Sequence, residues 1–167
     1  MRETFSTPLQ ASSSKLFNWQ LVVPADITAL FLKSPTKTRV VCVLNGEDPH
    51  QCALTPIGSG VYVIKVNQER IKKLRLQEGK VVTVELFPDD SRYGLPMPAE
   101  MQAVLDQDED GNRIFHALSP GKLRTMLYIA GSGKNSDDRI RLAVAIIEHL
   151  KARNGKIDFK ALYYDIQ

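Results

Sequence analysis

Apolar and polar positions follow two different rhythms along this chain, and the change falls near residue 90. Up to Phe87 the apolar residues come in short, β-rich runs. Residues 16–23 (with Trp19 in the middle), 39–44, 61–66 and 81–87 read as strands. Residues 4–9 form a further short strand, which Pro8 confines to an edge. Residues 11–14 are a polar turn. Asn45-Gly46 is a strong hairpin signal, with residues 52–54 as the returning partner, and residues 57–60 make another turn.

Past Met97 the spacing becomes helical. Residues 98–105 carry Met101, Val104 and Leu105 on one face, and residues 110–118 carry Ile114, Phe115 and Leu118. Ser119-Pro120 opens a third helix, striped by Leu123, Met126, Leu127 and Ala130 and stopped by Gly131. Ser136, Asp137 and Asp138 cap the longest helix, which runs to about Arg153 with Ile140, Val144, Ile147 and Leu150 inward; Gly155 ends it. The aromatic tail, 157–166, reads as a last short helix.

Within the first half one pattern occurs twice: LVVPADITALFLKSPTKTRVVCVL over 21–44 and VIKVNQERIKKLRLQEGKVVTVEL over 63–86. Each copy is an apolar run, a short helix, a polar turn and a β-rich run. Pro24 and Asp26 suit the first helix start; Asn67 and Glu69 suit the second. Ile27, Leu30 and Leu32 match Ile71, Leu74 and Leu76 at a constant offset as apolar anchors. The copies differ by one residue inserted before the helix and three deleted after it. A repeat of this kind predicts a fold built from two like halves. Residues 88–98 hold three prolines and a glycine, which excludes regular structure there. The expected organisation is a barrel domain over 1–88, a linker over 89–98 and a helical region over 99–167, an α+β fold.

Bulk composition adds limits rather than function. The chain has 167 residues, 43% hydrophobic and 25% charged, as in ordinary globular proteins. No apolar run approaches the roughly 20 residues that span a bilayer, and the first residues lack a signal-peptide core, so no membrane partner and a cytoplasmic location are expected. Cys42 reads as a small core residue. Cys42 and Cys52 lack metal-ligand spacing, and a bridge between them is not expected in a reducing compartment. The net charge of +3 is concentrated early: residues 15–88 hold ten basic and six acidic side chains, whereas 97–167 hold ten of each.

The candidate chemistry is sparse. Gly131-Ser132-Gly133-Lys134 fails as a phosphate loop, because Tyr128 stands where its first glycine should be and Asn135 follows the lysine. Residues 106–111 open like a calcium loop, yet the twelfth position is Ala117. An acidic turn with one aspartate capping the next helix fits better. His50, His116 and His149 are scattered. No catalytic residue, metal or cofactor is expected. Arg70, Lys72, Lys73 and Arg75 cluster around the second short helix and could meet phosphates. Trp19, Arg39 and Arg139 are candidates for a small-ligand site or an enzyme site in a crevice between barrel and helices.

Two resemblances sharpen this. The strand, short helix, Leu74-x-Leu76-x-x-Gly79 and strand of the second copy resemble the AbrB/MazE-type swapped-hairpin transcription factors, which implies a double-split barrel made within one chain and a DNA partner. Trp19, Val23-Pro24, Arg39-Val40, Asn45-Gly46, Pro56-x-Gly58 and Gly79-x-Val81 through Leu86 are similar to a bacterial barrel domain of unknown function. In that family the barrel is followed by a YdeI/OmpD-associated, or bacteriocin-protection, helical region. Phe115-x-x-Leu118-Ser119-Pro120-Gly121, Tyr128-Ile129, Lys134 and Asp138-Arg139-Ile140 look like that region, with Asp138-Arg139 in place of its usual Thr-Arg. With no catalytic constellation in the chain, a non-enzymatic binding or regulatory module of the bacterial cytoplasm is expected, with a protein or DNA as partner; the resemblance adds a relation to stress protection.

Overall fold

In the computed structural model, which describes residues 1–13 and 18–167, the repeat becomes two β-β-α-β halves. The first is β1 (Glu3–Ala11), β2 (Trp19–Val23), α1 (Ala25–Leu32) and β3 (Arg39–Leu44). The second is β4 (Glu47–Gly58), β5 (Val61–Val66), α2 (Gln68–Lys73) and β6 (Val81–Pro88). The strands close into a barrel in the order β1-β2-β5-β4-β3-β6, with every pair antiparallel. Exchanging β1 with β4, β2 with β5 and β3 with β6 maps each pairing onto another. The barrel therefore has an internal two-fold, and closure removes every free edge. Period-2 alternation buries Val40, Cys42 and Leu44 from β3 and Val82, Val84 and Leu86 from β6, while Leu21 faces Ile64 across β2 and β5.

Several details depart from the sequence-based expectation. Pro8 does not sit at an edge. The β1–β6 ladder ends at Pro8 and the β1–β2 ladder begins at Leu9, so the missing N–H falls where the strand changes partner. The expected strand over 16–23 begins at Trp19 rather than placing it in the middle; Leu16 and Phe17, like Ser14 of the polar turn, lie outside the described residues. The partner expected over 52–54 is the twelve-residue β4, which pairs with β3 up to Ala53 and with β5 from Leu54. Pro24 stands one position early, as the N-cap of α1.

The helical anchors do not match at a constant offset. Ile27, Thr28 and Phe31 are the buried residues of α1, and Leu30 (45% exposed) and Leu32 (36%) lie on the surface. In the second copy the helix is two residues shorter, and Arg75, at φ 52°, turns the chain so that Leu76 enters the core from a turn rather than from a helix face. Asn67 caps α2 as expected, accepting from the Arg70 N–H at 2.9 Å.

A second compact unit, residues 91–167, holds α3 (Ala99–Gln107), α4 (Glu109–His116), α5 (Pro120–Gly131), α6 (Ser136–Ala152) and α7 (Phe159–Asp165); the first spans residues 1–90. Helix α6 packs against the other four. Its buried face is Leu142, Ala143, Ile146, Ile147 and Leu150, and the expected Ile140 and Val144 are about half exposed. A helix flanked by several partners has its buried arc set by them, so the moment of its own sequence misplaces it. Asn135, not Ser136, caps α6 by accepting from the Asp138 N–H at 2.8 Å. Asp108 caps α4, confirming the acidic turn as a capping device. Buried His149 holds both ends of α7: the Asp158 N–H donates to its Nε2 at 3.1 Å, and its Nδ1 lies 3.2 Å from Asp165 Oδ2. Among the described residues no helix is long and apolar enough to cross a membrane.

Candidate functional site

The β3–β4 hairpin assembles the one Cys/His constellation found among the described residues. In its ladder Cys42 lies opposite His50 and Val40 opposite Cys52. Positions two apart on a strand share a face, so Cys42, His50 and Cys52 all project to the inner side of the barrel wall. One ligand-type atom from each lies within 4.8 Å of the others. Both thiols are free; Cys42 is fully buried, and Cys52 and His50 are half-buried.

Electrostatics give the three groups different states. A hydrogen bond with Cys52 and burial push the Cys42 thiol far above the usual range, so it stays protonated. His50 Nδ1 stands 3.0 Å from the Asp48 carbonyl oxygen. A carbonyl only accepts, so Nδ1 carries the proton and donates, and Nε2 keeps its lone pair. That Nε2 is buried and has no hydrogen-bond partner among the described residues. Burial also lowers the His50 pKa, which favours the neutral ring.

Asp48 ties this hairpin to α2. Its Oδ2 accepts from Arg70 Nε at 2.5 Å and its Oδ1 from Lys73 Nζ at 2.6 Å. Those two cations, Lys73 first, hold its carboxyl down at about 2. A small polar pocket of about 90 Å³ opens here, lined by Asp48, Asn67, Glu69, Arg70 and Lys73. The acid response of the barrel follows. His50 resists protonation in the folded state, so stability declines as pH falls below its ordinary 6.5. The Asp48 contribution is complete above its ordinary 3.8 and is lost as pH falls through about 2. Asp48→Asn should cost about 2 kcal/mol at neutral pH, the scale of hydrogen bonds to charged groups, and should erase the second acid step. Urea unfolding at a series of pH values, followed by Trp19 fluorescence, checks both.

The residues singled out in the sequence occupy other roles. Of the basic cluster, Arg70 and Lys73 converge on Asp48, whereas Lys72 and Arg75 are exposed. The Trp19 indole N–H donates to Gln68 Oε1 at 3.1 Å, tying β2 to α2. Arg39 faces buried Asp89 at 3.9 Å, and Gln51 donates to both oxygens of the same carboxylate. Arg139 joins α6 to α3 through Glu100, with Nε and Nη2 at 3.0 and 2.8 Å from one oxygen. Trp19 and Arg39 thus belong to the barrel and Arg139 to the helical unit, each engaged with its own neighbours.

The Cys42–His50–Cys52 grouping escapes a spacing search because its geometry depends on the hairpin register. Leu44 pairs with Glu47, yet Cys42 pairs with His50, so one residue is inserted on the β4 side between these pairs. Asp48, at φ 55°, lies within the inserted stretch. Such a bulge exchanges the faces of everything beyond it. The unbulged Asn45-Gly46 hairpin would have set Cys42 opposite Pro49 and turned His50 and Cys52 outward.

Residues 5–86 match the family described as a domain of unknown function, DUF1905. The match runs from β1 to β6, across both halves of the barrel, and includes the thiol–imidazole grouping. Among curated proteins the chain finds no match.

Proposed function

We propose that this protein is a non-enzymatic binding and regulatory module of the cytoplasm, with Cys42, His50 and Cys52 as its recognition centre. The observation that carries this is the geometry of the triad: a buried imidazole nitrogen with a bare lone pair beside two free thiols. A catalytic cysteine needs a lowered pKa and an exposed sulfur. Cys42 is fully buried, which closes its sulfur to attack on a free substrate, so the grouping suits capture of a ligand better. A stress-protection role is in keeping with the resemblance of the helical region. The DNA-binding alternative draws less support, because Asp48 engages two of the four cluster cations.

A thermal-shift panel of metal ions, nucleotides, oxyanions and low-molecular thiols tests this reading. The expected result is stabilisation by at least one ligand in the intact chain and its loss in Cys42→Val. If every stabilising ligand acts equally on Cys42→Val, or if a turnover reaction is found that this variant abolishes, the reading is overturned.

A further inference from the structure

We infer that the ligand of the triad is a thiophilic metal ion, zinc(II), held by Cys42 Sγ, His50 Nε2 and Cys52 Sγ with one position left for an exogenous ligand. This rests on the reading of the triad as a binding centre and names what it binds.

The donor set comes first. Two thiolates and one imidazole suit zinc and other thiophilic ions; calcium and magnesium require oxygen ligands. The outer shell is already in place. Metal-bound histidines hold their second nitrogen on a carbonyl or carboxylate, which fixes ring and tautomer. Here the Asp48 carbonyl takes the Nδ1 proton and leaves Nε2 to bind. Distance is adequate: a tetrahedral site with Zn–S of about 2.3 Å sets its sulfurs about 3.8 Å apart. Counting one ring nitrogen of His50, the three donors already lie within 4.8 Å of one another, so the site needs a closure of about 1 Å. Charge also balances. Each thiol gives its proton to solvent, and two thiolates neutralise the two charges of zinc in a partly buried wall, where a net charge is costly.

The protein carries its own control for whether the fold demands these residues. In the β1–β6 ladder Phe5 lies opposite Val84 and Thr7 opposite Val82. The internal two-fold sets Val84 on Cys42, Phe5 on His50 and Thr7 on Cys52. The same barrel wall is thus built once from valine, phenylalanine and threonine and once from two cysteines and a histidine. Packing accounts for the first set, and the second departs from it at three touching positions that together make a ligand set.

The test uses the full chain, reduced and without oxygen. Cobalt(II) as a spectroscopic stand-in should bind one ion per chain with thiolate-to-cobalt charge-transfer absorption, and zinc(II) should displace it. The variants come from the other half: Cys42→Val, His50→Phe and Cys52→Thr. Each should weaken zinc, measured against a chromophoric chelator, by more than the roughly 10- to 100-fold that loss of an outer-shell partner costs. Cys52 is only partly buried, so Cys52→Thr keeps the test alive if Cys42→Val does not fold. Cobalt bound without charge-transfer absorption, zinc affinity unchanged in Cys52→Thr, or tight copper(I) binding with no zinc binding would each overturn the assignment. If zinc fails while another ligand of the panel still depends on Cys42, only the metal is wrong; if no ligand depends on the triad, the binding reading falls too.

Discussion

Phe31→Ala is expected to destabilise the barrel by about 3–5 kcal/mol, while Leu30→Ala and Leu32→Ala change it by about 0.5 kcal/mol or less. All three are apolar residues of one short helix, and the repeat comparison points to the two leucines. The side chains say otherwise: Phe31 is fully buried, Leu30 is 45% exposed and Leu32 36%. Removing the ring deletes buried area and leaves a cavity in a wall of Leu, Val and Ile that can close only partly. Removing an exposed leucine deletes contacts mostly with water. Urea unfolding monitored through Trp19, the single tryptophan and a barrel residue, separates the cases. Comparable losses at 30 and 31 would mean that α1 is rotated from the orientation described.

The second large effect lies in the helical unit and has a built-in opposite. Gly111 is the third residue of α4, at the crossing with α6. A Cβ there would stand 2.4 Å from Ile147 Cγ2 and 2.9 Å from Asp108 Cγ. Asp108 is the residue capping α4 through the Gly111 N–H. Gly111→Val should therefore cost about 2–4 kcal/mol, combining overpacking of about 1–3 with a lost cap of about 1. Gly121, near the start of α5, has nothing within 4 Å of its would-be Cβ. Gly121→Ala should stabilise by about 0.5–1 kcal/mol, because alanine loses less entropy on entering a helix. Thermal unfolding followed by helical circular dichroism should move the two variants in opposite directions. A neutral Gly111→Val would show that α4 and α6 do not approach as closely as described.

The sites reflect two kinds of legibility. Asp108 as a cap, Asn67 as a cap, the Asn45-Gly46 turn and the stripe Leu123, Met126, Leu127 and Ala130 could be read because each depends on residues within one turn or one element. Leu30 against Phe31, and Ile140 with Val144 against Leu142 with Ala143, could not. There the pattern allows more than one buried arc, and the neighbouring elements choose. Arg70 and Lys73 read as free basic charge because Asp48, their partner, is more than twenty positions away.

The sequence by itself determined the halves of the barrel, the change from β to helix near residue 90 and most turns and caps, since periodicity, proline, glycine and asparagine act over a few residues. Only the tertiary structure decided what faces what. Closure matched β3 with β4 and β6, and one inserted residue near Asp48 turned His50 and Cys52 to the side of Cys42. Strand side chains alternate with a period of two, so a shift of one residue exchanges inside for outside. No spacing rule along the chain carries that information, and the most chemically capable grouping of the barrel depends on it.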